Sequence, residues 1–169
     1  CEGIDPCCDG CNSLGCWFDA STLYMWQNPP STEYLDWDSA AEYCQFLPLA
    51  GVGLGEWHLP TIGELRTLLR GCPATGPAGA CGVSDACLDI DTCAGSCDAC
   101  TAWTGPGTGG CYRDAALGGD CGGVEWSSST CTGSGCPGGA SAWMVGFANA
   151  SIGILDKTTS TTVRCVHTP

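Results

Sequence analysis

The sequence predicts an α+β fold: two helices, a set of antiparallel strands and a long disulfide-crosslinked loop region. Three observations predict it. Apolar residues recur at helical spacing in two capped segments, 36–47 and 61–71. β-prone or alternating runs occupy 22–27 and four places between 124 and 166. Between the helices and the later strands, residues 72–136 hold ten of the chain's 17 Cys and show no sustained periodicity. Helices segregated in sequence from antiparallel strands are the pattern of α+β domains.

Residues 1–16 form a Cys cluster, with Cys1, Cys7, Cys8, Cys11 and Cys16 separated by Gly and Pro. No helix or strand pattern appears there, so the segment reads as a Cys-rich N-terminal appendage, with the main domain over 17–169. Ordinary structure begins at Trp17. Thr22 to Gln27 is β-prone and ends at Asn28-Pro29-Pro30. The first helix is capped by Asp36, a residue type whose carboxylate satisfies free N–H groups of the first turn. Trp37, Ala40, Ala41, Cys44 and Leu47 then share one face, and Pro48 stops it. The second helix opens at Thr61, three residues before Glu64, which is the capping-box spacing. Ile62, Leu65, Leu68 and Leu69 form its apolar face, and Gly71 is placed for a left-handed C′.

Residues 72–123 are rich in Cys, Gly and Asp. A structureless loop of that length is unusual in a compact domain. Local disulfides can take the place of a missing core, so the stretch reads as a crosslinked insert on the two-helix scaffold. Strands return at Val124 to Ser128 and at Ala142 to Phe147, where Trp143, Val145 and Phe147 alternate onto one face. Ile152 to Leu155 and Thr161 to Val166 are the last two.

Composition sets a condition on folding. Leu, Ile, Val and Phe total 27 of 169 residues, and the formal net charge is −13. Few aliphatics with high charge normally mean disorder. Seven Trp oppose that reading with large apolar surfaces, and 17 Cys oppose it with covalent crosslinks. The chain therefore folds only when oxidised, which places it outside the cytoplasm, extracellular or on the cell surface. Five Lys and Arg against eighteen Asp and Glu exclude nucleic acid and anionic membrane surfaces as partners. No run of about 18 apolar residues exists, so no transmembrane segment is predicted. No basic and then apolar leader is visible, which reads as an export signal already removed. Because 17 is odd, at least one Cys lacks an intramolecular partner. Cys1 is the candidate, attached to lipid or to another chain.

Six ordered motifs resemble a known family. Leu23-Tyr24-Met25-Trp26-Gln27 resembles its GLMWQ strand, and Asp36-Trp37-Asp38-Ser39-Ala40-Ala41-Glu42-Tyr43-Cys44 its TWDEAIAYC helix. Trp57-His58-Leu59-Pro60-Thr61-Ile62-Gly63-Glu64-Leu65 resembles WRLPTIEEL. Glu125-Trp126-Ser127-Ser128-Ser129 resembles YWSST, Ala142 to Phe147 resembles AWYVNF, and Val163-Arg164-Cys165-Val166 resembles VRCVR. Over about 17–166 the chain is similar to the bacterial domain found at the C-terminus of a collagen-like adhesin. That family is similar to C-type-lectin-like domains and to the formylglycine-generating enzyme fold. The resemblance implies a C-type-lectin-like, double-looped domain with N- and C-terminal strands side by side. It also implies a Cys44–Cys165 disulfide. The other cysteines then divide as five in 1–16 and ten in 72–136. His58 stands where the family has Arg, and the N-terminal Cys cluster lies outside its pattern.

Candidate chemistry is sparse. Cys8 to Cys11 and Cys97 to Cys100 are C-x-x-C pairs too far apart for a common zinc site and better read as disulfide partners. Asp85, Asp89, Asp91 and Asp98 offer hard oxygen ligands suited to Ca²⁺, but the EF-hand and lectin Ca²⁺ motifs are absent, so Ca²⁺ is a weak candidate and no other cofactor is expected. His58 reads as a packed scaffold residue. Trp103 and Tyr112, flanked by glycines, are ligand contacts if exposed and local core if buried. Asn149-Ala150-Ser151 matches the N-glycosylation acceptor. The expected function is a non-enzymatic adhesion or assembly module, as in a fibre or filament subunit, binding copies of itself or another surface protein. Alternatives are a lectin for neutral sugars and a copper-dependent enzyme of the formylglycine-generating type, for which no local motif is present. The adhesin relative recognises sulfated glycans, a preference that this acidic chain does not share by composition.

Overall fold

The computed structural model describes Cys11 and residues 14–168. It is an α+β protein with two three-stranded antiparallel sheets. The first sheet has the order β1 (Cys16–Asp19), β2 (Tyr24–Gln27), β6 (Val166–His167). The second runs β3 (Val124–Thr130), β4 (Ser141–Gly146), β5 (Ser151–Asp156). The pairing of β2 with β6 sets the N-terminal and C-terminal strands side by side, with Trp26 opposite Val166. His58 and Val166 exchange two backbone hydrogen bonds, which ties the approach to the second helix onto the same edge.

The strands separate two apolar clusters. In β4 the alternation sends Trp143 and Val145 to one side and Ala142 and Met144 to the other. Helix α1 (Trp37–Gln45) buries Ala40 and Cys44 in the second cluster. Helix α2 (Ile62–Arg66) puts Ile62 and Leu65 in the first, followed by Leu68 and Leu69. Trp26, Trp57, Trp126 and Trp143 are each at most 1% exposed, so four indoles do the work that scarce aliphatics cannot. Three of them lie in strands, and the Nε1 groups of Trp57, Trp126 and Trp143 donate to the carbonyls of Leu49, Leu35 and Leu88.

The caps are as the sequence requires. Asp36 accepts from the Ser39 N–H at 2.8 Å. Thr61 and Glu64 form a reciprocal capping box. Several boundaries differ from expectation, each for a non-local reason. Helix α2 ends at Arg66, well before Gly71. The Arg66 side chain turns inward to the carbonyls of Thr75, Gly76 and Val83. Leu68 and Leu69 then tighten into i to i+3 bonds, and the Arg70 N–H leaves for Tyr112 O. Strand β1 was not expected. A third helix was not expected either: α3 (Ile90–Cys93) sits within the Cys-rich region, capped by Asp89. At the C-terminus only Val166–His167 pairs as a strand. The residues before it form only isolated backbone pairings. Thr161 exchanges two bonds with Leu35, and the carbonyls of Val163 and Cys165 accept from Ser31 and Gln27 N–H, while the Val163 and Cys165 N–H groups turn to Ser31 Oγ and Gln27 Oε1.

A buried ion cluster joins the sheets to the loop region. Arg164 is fully buried and bonds Glu125 through Nε and Nη2 at 3.0–3.3 Å. Arg164 also reaches the carbonyls of Gln27 and Gly118. Arg113, 2% exposed, lies 3.7 Å from the same carboxylate and donates to Gly119 O. Burial and the neighbouring Arg164 charge lower the Arg113 pKa, opposed by Glu125 and Asp120.

Candidate functional site

The Cys-rich region is a covalent frame. Cys72–Cys100 encloses Cys81–Cys97, which encloses Cys87–Cys93. Cys111–Cys121 closes the next loop, and Cys131–Cys136 follows. All ten cysteines of 72–136 thus pair among themselves. Neither Cys97 nor Cys100 pairs within its C-x-x-C motif, and Cys11 pairs with Cys16. Cys44 and Cys165 form the long bridge from α1 to the segment before β6. Cys1, Cys7 and Cys8 lie outside the described residues, and with them the attachment expected at Cys1.

Within this frame the two candidate aromatics part company. Tyr112 is 4% exposed and its hydroxyl donates to Thr101 O at 2.8 Å. It is a core residue and not a ligand contact, because the turn of 101–104 folds over it. Trp103 is 53% exposed, on the outside of that turn. Its backbone is fixed from several directions. Trp103 N–H donates to Ala148 O and Cys100 N–H to Asn149 O, both at 2.8 Å. Thr104 Oγ1 donates to Thr101 O at 2.9 Å. Trp103 itself has φ +63°, left-handed backbone that a bulky side chain rarely adopts. Such a residue costs about 1–3 kcal/mol and persists only where its surroundings over-determine it. Gly110 allows the arrangement, since a Cβ there would stand 2.2 Å from Trp103 O.

Three of the four acidic candidates bond within the fold, while Asp98 is exposed. Asp85 accepts from Thr61 Oγ1 at 3.0 Å and Gly63 N–H at 2.9 Å, at the start of α2. Asp89 caps α3 through Asp91 and Thr92 N–H. Asp91 accepts from Ser134 N–H at 2.6 Å. Among the described residues no three His, Cys, Asp or Glu side chains cluster in a way that would hold a metal ion. His58 Nε2 lies 3.2 Å from both Glu64 oxygens, so the carboxylate that completes the capping box also engages the imidazole. Burial raises the Glu64 pKa, but the bonds from His58 and Thr61 outweigh it and leave the net shift downward. His167 Nδ1 contacts Glu56 O at 3.0 Å. Asn149 Oδ1 accepts from Ser151 N–H at 3.2 Å, so the glycosylation motif is folded into the β4–β5 turn.

Every side-chain cation in the chain is engaged. Arg66, Arg113 and Arg164 are buried. Arg70 bonds the carbonyls of Thr67 and Leu69 and lies 3.5 Å from Asp19. Lys157 Nζ sits 3.8 Å from the Trp37 ring centroid and donates to Thr130 Oγ1. No basic patch for a polyanion can be built from them.

The model of the Lcl C-terminal domain matches residues 15–167, nearly the whole chain. The chain belongs to the Lcl C-terminal domain family. No curated protein and no solved structure matches it. This Lcl C-terminal domain carries seven disulfides among its described residues, which place the folded chain in an oxidising compartment. Among those residues no helix is long and apolar enough to cross a membrane. The residues that sequence reasoning missed in this Lcl domain are Asp120 and Gly122. Both are exposed beside Trp103, brought there by the Cys111–Cys121 bridge.

Proposed function

We propose that this domain is a non-enzymatic adhesion or assembly module, displayed outside the cell, with a C-type-lectin-like arrangement in which paired terminal strands carry a long loop region. The observation that carries the proposal is Trp103, an exposed indole held on left-handed backbone by a disulfide frame. Rigid aromatic side chains supply contact area at little ordering cost, and fixing them in advance raises affinity. The engagement of both histidines with structural partners supports a binding role over a catalytic one.

The test is adhesion of beads coated with the oxidised domain to bacterial and host cell surfaces, alongside sedimentation of the free domain. Retention on cells, or concentration-dependent self-association, that is lost in Trp103→Ala supports the module. Neither retention nor association in the native protein overturns it.

A further inference from the structure

We infer that the loop around Trp103 is a subsite for a neutral pyranose sugar, formed by the Trp103 indole, the Gly122 notch and the Asp120 carboxylate. This rests on the binding-module reading and names its ligand class. The three residues come together at one point. A Cβ placed on Gly122 would stand 3.5 Å from Trp103 Cη2 and 3.4 Å from each Asp120 oxygen. The six-membered ring of the indole and the carboxylate therefore both border the bare glycine at this point. All three residues are exposed, so the notch opens to solvent.

Each part suits one feature of a pyranose. The ring C–H groups of the sugar form an apolar face, and an aromatic face carries negative quadrupole potential that attracts polarised C–H. A carboxylate only accepts, and hydroxyls donate to it in strong charge-assisted bonds. Asp120 Oδ1 accepts from Gly122 N–H at 3.0 Å, which fixes the carboxylate at the notch. Its second oxygen has no hydrogen bond among the described residues. The missing side chain at 122 is what leaves room for the ligand. The platform is also set beforehand by the bonds at Cys100, Trp103 and Thr104.

Charge selects neutral over anionic sugars. Asp120 stands at the subsite and the chain carries −13; Arg66, Arg70, Lys157 and Arg164 are engaged elsewhere, and Arg113, the cation that acts on Asp120, is buried with Glu125 and closed to a ligand. A sulfate or carboxylate on the ligand would meet like charge with no partner, and such juxtaposition disfavours binding strongly. The subsite as proposed takes sugar hydroxyls directly on the Asp120 carboxylate, without a bridging cation.

The experiment is a glycan array of neutral hexose-terminated, sialylated and sulfated oligosaccharides, probed with the oxidised domain in Ca²⁺ and again in EDTA. Hits are then titrated calorimetrically. Binding confined to neutral glycans, unchanged by EDTA, is expected. Trp103→Ala should weaken it at least tenfold. Gly122→Ala should do the same while leaving the thermal midpoint unchanged, since the added Cβ makes only ordinary contacts but fills the notch. A blank array, a preference for sulfated glycans, or neutral binding that survives both substitutions overturns the inference. A blank array beside Trp103-dependent cell adhesion would sink the sugar and leave the module standing; absent adhesion and self-association would sink the module itself.

Discussion

Trp103 sets stability against function at a single residue. Its left-handed backbone suits Asn better than an indole, because Asn adopts that region with less strain. Trp103→Asn is therefore expected to keep or raise the thermal midpoint while abolishing adhesion, a pairing that calorimetry and the bead assay would read together. A lowered midpoint would mean that the indole serves the core. Glu125 is the opposite case, a buried residue whose loss is felt throughout. It is the carboxylate shared by Arg164 and Arg113, so Glu125→Gln leaves Arg164 buried without its ion-pair partner and Arg113 with only the Asp120 charge. Removing one partner from a buried ion cluster typically costs about 3–5 kcal/mol, and urea unfolding should show a loss on that scale. Glu64 gives a pH dependence. Its folded pKa lies below the ordinary glutamate value, so it binds protons less readily folded than unfolded. Its contribution is complete above the unfolded value and is lost as pH falls through the folded one. Stability measured against pH should thus fall more steeply in acid for the native protein than for Glu64→Gln, and parallel curves would remove the assignment.

The elements show what local sequence can specify. The starts of α1 and α2 were legible because Asp36, Thr61 and Glu64 act within three residues of themselves. The end of α2 was not, because the groups that draw Arg66 and Arg70 away lie between residues 75 and 112. Strand β1 was hidden by the Cys cluster before it, and α3 by the assumption that crosslinks replace helices rather than hold them. Most of the last predicted strand is reduced to isolated bridges, because the N–H groups of Val163 and Cys165 go to the side chains of Ser31 and Gln27 instead of continuing a ladder. In the candidate site, Trp103 and Tyr112 looked alike, both aromatic among glycines; only the fold decides which is covered. Asp120 and Gly122 gave no signal, since their place beside Trp103 depends on the Cys111–Cys121 closure. Burial also orders the crosslinks. Cys44 and Cys165 are fully buried, whereas Cys97 and Cys100 are half-buried. Thiol attack requires access. Under limiting reductant, alkylation mapping should find Cys97 and Cys100 labelled before Cys44 and Cys165; the reverse order would contradict this arrangement of the core.

At the scale of the whole molecule, the Cys44–Cys165 bridge closes a sequence separation of 121 residues. In the chain-entropy model a closure of that size contributes on the order of 4–5 kcal/mol, more than any of the short local bridges. Replacing both cysteines by Ser should lower the unfolding free energy by that order, measured in denaturant with the other disulfides kept oxidised. The same bridge also decides how the protein carries load. When the chain is pulled from its two ends, tension entering on the N-terminal side reaches Cys44, crosses the sulfur–sulfur bond and leaves at Cys165. Everything between, including α2, the second sheet and the loop that displays Trp103, hangs from that path as a side loop. Force can strip β1, β2 and β6 without stretching the candidate binding face. Reduction returns those 121 residues to the line of tension and lengthens the extended chain by roughly 400 Å. The disulfide that stabilises the fold thereby acts as a mechanical bypass, in which the terminal strands can yield to end-to-end tension while the bridged loop keeps its shape.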